Sequence, residues 1–193
     1  MFLNIILCFF VCFADIEDDR LRLAIVGFND ATSRNFLGNG GSQNMSYLKV
    51  ISESLANVLQ RDFNLVEREK VELIFKEQRL VEKNKLDPAT AAQLGTMTGA
   101  EYLLTGTVTE LNRDERVFKG YGIERKTIIC RMAVSYRLLH TSTGEVFNVG
   151  ESAVEKRYRH NPSPDTFIRD LAQQLSLEVS DQINKAFKDV RDR

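Results

Sequence analysis

Two histidines, three cysteines and a Glu67-Arg68-Glu69 triplet are the residues most able to do chemistry in this chain. A zinc site needs ligands at spacings such as HxxxH or CxxC, and neither His140 nor His160 has such a partner. His140 precedes a turn and His160 lies in His160-Asn161-Pro162, so both read as polar loop-edge residues. Glu67 and Glu69 stand where a strand runs into a helix, a place that suits carboxylates because the helix N-terminus carries partial positive charge. Arg68 between them reads as an ion-pairing group. No GxSxG elbow and no GxxxxGK[ST] phosphate loop occurs. The run Gly38-Asn39-Gly40-Gly41 follows a strand at a distance and lacks the lysine of a phosphate cradle, so it reads as loop. A hydrolytic or small-ligand-binding enzyme would need a nucleophile, a base and an orienting group that converge, and no such set is legible. The expectation is a non-enzyme with no cofactor and no metal.

The elements that must position whatever this chain does use are clearer. The run LRLAIVGF over residues 21–28 reads as a buried strand, followed by a Gly, Asn and Ser-rich loop over 29–44. Ser46 reads as the cap of a helix with Leu48, Ile51, Leu55, Val58 and Leu59 on one face. A short strand, Asn64-Leu65-Val66, leads into a charged helix carrying Val71, Ile74, Phe75 and Leu80. Asp87-Pro88 opens a further helix, with a capping residue followed by proline at the first helical position, which stops near Gly99. From Ala100 the period becomes two through Tyr102, Leu104, Gly106 and Val108. Long strands are predicted over 123–140 and 145–159, joined by Ser142-Thr143-Gly144. A last helix starts at Ser163-Pro164-Asp165 and repeats Phe167, Leu171, Leu175, Val179, Ile183 and Phe187 at spacing four. That element order predicts an α/β fold with a single mixed β-sheet flanked by helices.

With 193 residues and 43% hydrophobic content the chain has the size of one domain, and a net charge of −1 offers no attraction to nucleic acid or to an anionic membrane. Residues 1–14 are nearly all apolar and end at Cys12-Phe13-Ala14, followed by Asp15, Glu17, Asp18 and Asp19. This is too short for a membrane helix and has the length of a signal-peptide core. The expected division is a signal peptide over 1–14 and one domain over 15–193, with no membrane span in the mature chain. Leu7 and Val11 precede Cys8 and Cys12, where a lipidated cysteine would follow a small residue. After cleavage Cys130 would be the remaining thiol, and its place in Ile128-Cys130-Met132-Val134 makes it a core residue.

VEREKVELIFKEQRL followed by DPATAAQLGTMTGAEYLLTGTVTEL resembles the signature of the CsgG family. Val66-Glu67-Arg68, Glu77-Gln78, Ala91-Ala92, Gly95, Gly99-Ala100 and Gly106 carry the resemblance, with Ser142-Thr143-Gly144-Glu145 as a later block. It covers about residues 23–187 and implies a CsgG/LpoB-like domain, similar also to the TolB amino-terminal domain. The family includes the curli-secretion channel subunit and LpoB-type activators of penicillin-binding proteins. The resemblance therefore implies a periplasmic or outer-membrane-associated protein whose partner is an envelope protein, a penicillin-binding protein being one candidate. It leaves the oligomeric state open.

Channel members of the family extend two hairpins into the membrane, and here these would fall at 111–127 and 149–164. The first carries Arg113, Asp114, Glu115, Arg116, Lys119, Glu124, Arg125 and Lys126, and the second Glu155, Lys156, Arg157 and Arg159. A membrane strand needs an apolar residue at every second position, so both segments argue against a channel, and both read as too short for a pair of spanning strands. LpoB-type members carry a long tether, whereas only residues 15–20 precede the first strand here. The reading that remains is an exported, non-catalytic interaction module. Within 111–127, Arg116, Phe118, Tyr121 and Arg125 are the candidate partner-binding residues, because arginine and aromatic side chains dominate interface hot spots.

Overall fold

Leu23, Ala24, Ile25, Val26, Gly27 and Phe28 are buried one after another, which demands cover on both faces of their strand. The computed structural model describes residues 20–32, 44–67, 71, 88–121 and 123–191. In it this run is β1 (Arg22–Asp30), which lies in a five-stranded sheet of order β2-β1-β3-β4-β5. Strands β2 (Asn64–Leu65) and β3 (Tyr102–Gly120) flank it in parallel. Strands β3, β4 (Ile123–His140) and β5 (Val146–Tyr158) form an antiparallel meander. The predicted single mixed sheet flanked by helices is what the chain builds.

One face is covered by α1 (Asn44–Leu59) and by the C-terminal α3 (Pro164–Arg191). In α1, Tyr47, Ile51, Leu55 and Leu59 are buried at intervals of four, and the helix begins at Asn44, so Ser46 lies inside its first turn. In α3 the whole stripe Phe167, Leu171, Leu175, Val179, Ile183 and Phe187 is buried against Leu104, Met132, Val134 and Leu138. Cys130 belongs to this core, and burial pushes its thiol up. The opposite face carries α2 (Pro88–Thr98), whose Ala91 and Leu94 pack with Ala24, Val26, Leu103 and Leu139.

The residues behind the family resemblance have mechanical work on the two faces of the sheet. A side chain on Gly95 would overlap Thr141, whose hydroxyl donates to the Ala100 carbonyl at 2.8 Å. Gly99 ends α2 at φ +69°, a left-handed conformation that favours glycine. Gly106 leaves room for the ring of Phe28.

Several sequence expectations lie outside the described residues: the segment 1–14, the glycine-rich run 38–41, Arg68 and Glu69, and the charged helix beyond Val71. Residues 111–127 continue the two sheet strands, because β3 and β4 pair without a break from Glu110↔Ala133 to Gly120↔Ile123. A bulge between Val108 and Glu110 brings Leu111, rather than an even-numbered residue, into the core. No second hairpin occupies 149–164, since β5 runs to Tyr158 and the turn 159–163 leads straight into α3.

Candidate partner-binding site

β3 loses its β1 neighbour after Asp30↔Val108, and β4 loses β5 beyond Ile128↔Tyr158. Past those points the two strands continue as a free ribbon that ends at Tyr121. Successive strand residues alternate faces, so the register assigns each ribbon side chain. Glu115, Val117, Lys119, Glu124 and Lys126 share the face of the core residues Cys130 and Ile128. Asp114, Arg116, Phe118 and Arg125 share the other face, with Arg125 directly opposite Phe118 and Arg116 two residues before it. Three of the four sequence-predicted residues are thus brought together. The fourth, Tyr121, sits at the turn, fully exposed at φ +52°, a backbone region costly for an aromatic residue.

The two faces differ in their electrostatics. On the core side Lys119 pairs with Glu124 at 3.4 Å and Lys126 with Glu115 at 2.6 Å. Arg113 on the same side donates to the Asn161 side-chain oxygen. At the ribbon's root on the other side, Arg131 bridges Asp114 at 3.2 Å and Glu155 at 2.8 Å, and Arg157 adds a second contact to Glu155 at 2.9 Å. The hydrogen bond from Arg157, followed by that from Arg131, holds the Glu155 carboxyl below its ordinary range. Between this network and the tip, Arg116 and Arg125 make no ion pair with any described residue. Phe118 is 59% exposed, and Val117 and Ile123 beside the tip are exposed as well. Two guanidinium groups with no ion pair among the described residues, around an open aromatic ring, can hold carboxylates and stack on flat groups.

The same sheet face opens, away from the ribbon, into a cleft of about 730 Å³ lined by Thr105, Thr107, Ser135, Arg137, Val149 and Glu151. Its polar side chains are hydroxyls, the Asn29 amide and one charge of each sign. Thr105 Oγ1 donates to the Gly27 carbonyl at 3.5 Å rather than to a base. His140 meets Ser142 Oγ at 3.0 Å on the exposed β4–β5 turn, with the Tyr102 ring edge-on to the imidazole. His160 and Glu67 are exposed and stand apart from it. Among the described residues no group of three or more His, Cys, Asp or Glu is arranged to hold a metal ion. No helix among them is long and apolar enough to cross a membrane.

The pairing of Arg116, Phe118 and Arg125 on one face was not read from sequence. The signal was present in the sequence, where Tyr121-Gly122 has the composition of a two-residue hairpin turn, and counting back from Gly120 opposite Ile123 gives the rest.

The sequence matches, over residues 15–182, the family described as "Curli production assembly/transport component CsgG". Among solved structures it is similar to lipoprotein GNA1162 from Neisseria meningitidis, with 15% identity, 86% of this chain and 99% of that one covered, and a TM-score of 0.51. It is similar also to the hypothetical protein CT253 from Chlamydia trachomatis, with 11% identity, coverage of 85% and 95%, and a TM-score of 0.53. A looser likeness, at 18% identity and a TM-score of 0.41, is to the LpoB C-terminal domain from Escherichia coli, with 69% of this chain and 82% of that one covered. A comparison with curated proteins finds no match.

Proposed function

Since the chain belongs to the CsgG family, we propose that it works as an exported, non-catalytic protein-interaction module of the bacterial cell envelope. The observation that carries this reading is the β3–β4 ribbon. Beyond Ile128 neither strand packs on the core, yet the ribbon holds full register and presents Phe118, Tyr121, Arg116 and Arg125 to solvent. A hairpin that contributes little burial, with apolar rings and cations at its end, is suited to contact another protein. The family signature supports the same reading, because Gly95, Gly99, Ala100 and Gly106 are accounted for by packing and backbone geometry. The apolar start of the sequence supports cleavage after Ala14 and delivery to the periplasm, where an envelope protein such as a penicillin-binding protein is one candidate partner. The charge of the ribbon speaks against a membrane-spanning role for it.

A photo-crosslinking residue at position 118, in the chain expressed in its own envelope, tests the reading. The protein should fractionate with the periplasm, begin at Asp15 and crosslink to a defined partner through the ribbon. Phe118→Ala combined with Tyr121→Ala should weaken capture of that partner by about 2 kcal/mol or more while the domain stays folded. Cytoplasmic protein that retains Met1, or undiminished capture by the folded double variant, would overturn it.

A further inference from the structure

We propose that the free face of the ribbon recognises a carboxylate-rich segment of its partner protein, with Arg116 and Arg125 gripping acidic side chains and Phe118 covering the apolar stem between them. The inference rests on the ribbon being the docking element and adds the chemistry of what docks. It starts from the contrast between two faces of one hairpin. On the core-side face each lysine has its acid, Lys119 with Glu124 and Lys126 with Glu115, and Arg113 is held by the Asn161 side chain, so every cation there already has a partner. On the free face Asp114 is already engaged by Arg131 and Glu155 by Arg131 and Arg157, whereas Arg116 and Arg125 have no ion pair with any described residue.

The register sets these two arginines on a diagonal, two residue pairs apart, with Phe118 directly across from Arg125. Like charges at that separation repel, and a bound anion between them removes the repulsion. Guanidinium is also the cation best shaped for a carboxylate, because its fork makes two parallel hydrogen bonds. The exposed Phe118 and Ile123 favour an occupant with apolar atoms between its charges, which a peptide supplies. A nucleic acid fits poorly. Its affinity comes from many phosphate contacts, whereas this patch offers two free cations beside Asp114, Glu115 and Glu124. An anionic lipid surface meets the same acidic neighbours.

Fluorescence anisotropy with the full chain tests the proposal, using a short labelled peptide of alternating Glu and Leu. Its Gln-for-Glu counterpart, oligothymidylate and phosphatidylglycerol vesicles serve as rival probes. The Glu peptide should bind, more weakly as salt rises, and better than each of the others. Arg116→Ala with Arg125→Ala should reduce binding by about tenfold or more, the loss expected for charge-assisted hydrogen bonds. Lys119→Ala, on the opposite face, should leave it unchanged. A Glu peptide that does not bind, equal binding by the arginine double variant, or preference for the oligonucleotide or the vesicles would overturn the proposal. Ribbon-dependent crosslinking that persists alongside such a result would show that the ribbon docks and that its partner chemistry is not acidic. Loss of both would remove the docking reading as well.

Discussion

The hydroxyl of Tyr136 donates to Oε1 of Gln182 over 2.9 Å, and Gln182 in turn donates through Nε2 to the Glu151 carbonyl at 3.1 Å. One side chain of α3 thereby grips β4 and β5 together. Tyr136 is 2% exposed, and Gly150 on β5 leaves the space its ring occupies. Gln182→Ala should lower unfolding free energy by about 1–3 kcal/mol, because the buried phenol loses its partner. Tyr136→Phe in the same background should recover part of the loss. A urea titration in which Gln182→Ala matches the parent would refute this account of how α3 is held.

Further along the same helix, Asp170 accepts from Lys156 at 2.8 Å and from the Tyr158 hydroxyl at 2.8 Å. Lys156, then Tyr158, holds the Asp170 carboxyl below its ordinary range, while burial and then Asp170 push the Tyr158 phenol up. A carboxylate with a lowered folded pKa stabilises fully above its unfolded value of about 3.9 and loses that contribution as pH falls through the folded value. Asp170→Asn should therefore weaken the fold near neutrality by about 1 kcal/mol and make the loss of stability below about pH 4 shallower. Some acid dependence should remain, because Glu155 is lowered in the same direction. An acid limb as steep as the parent's would contradict the assignment.

Gly99 ends α2 in the left-handed region, donates its N–H to the Gly95 carbonyl at 2.7 Å and lies beside the Arg22 guanidinium. Gly99→Ala should cost about 1 kcal/mol or more in thermal unfolding, since alanine pays for the positive φ. Gly99→Asn should cost less, because asparagine tolerates that conformation better. The reverse order would mean that contact with Arg22, not backbone conformation, keeps the position small.

The purified domain should give no conductance above background in planar bilayers. Read as a membrane strand pair, the ribbon would set Arg116 and Arg125 on one face and Glu115, Lys119, Glu124 and Lys126 on the other, leaving no apolar face for lipid. Reproducible channels from pure protein would overturn this and promote the pore-forming reading.

Much of the architecture was legible because burial writes periodicity into sequence. The spacing-four stripe of α3 and the strand at 123–140 match the structure, and the continuous apolar run of β1 marks a strand covered on both sides. The β3 half of the ribbon was not legible as strand. Neither of its faces is buried, so nothing forces apolar and polar residues to alternate from Glu115 to Lys119. The bulge after Val108 compounds this, since it changes which residues face the core and breaks the alternation where the free ribbon begins. The candidate residues themselves were found from type alone, as arginines and aromatics in a segment that packing does not explain. Their sorting onto one face needed the pairing register.

The register between Gly120↔Ile123 and Arg116↔Thr127 joins residues close in sequence, none of which is buried in the core. Selection can therefore rewrite side chains there without first solving a packing problem in the core, because the hydrogen-bonded frame tolerates many residues and the fold draws its stability elsewhere. Lineages that share this domain are free to diverge at the ribbon while keeping Gly95, Gly99 and Gly106. With the ribbon as the proposed docking element, partner choice and foldability would then be inherited as nearly separate traits.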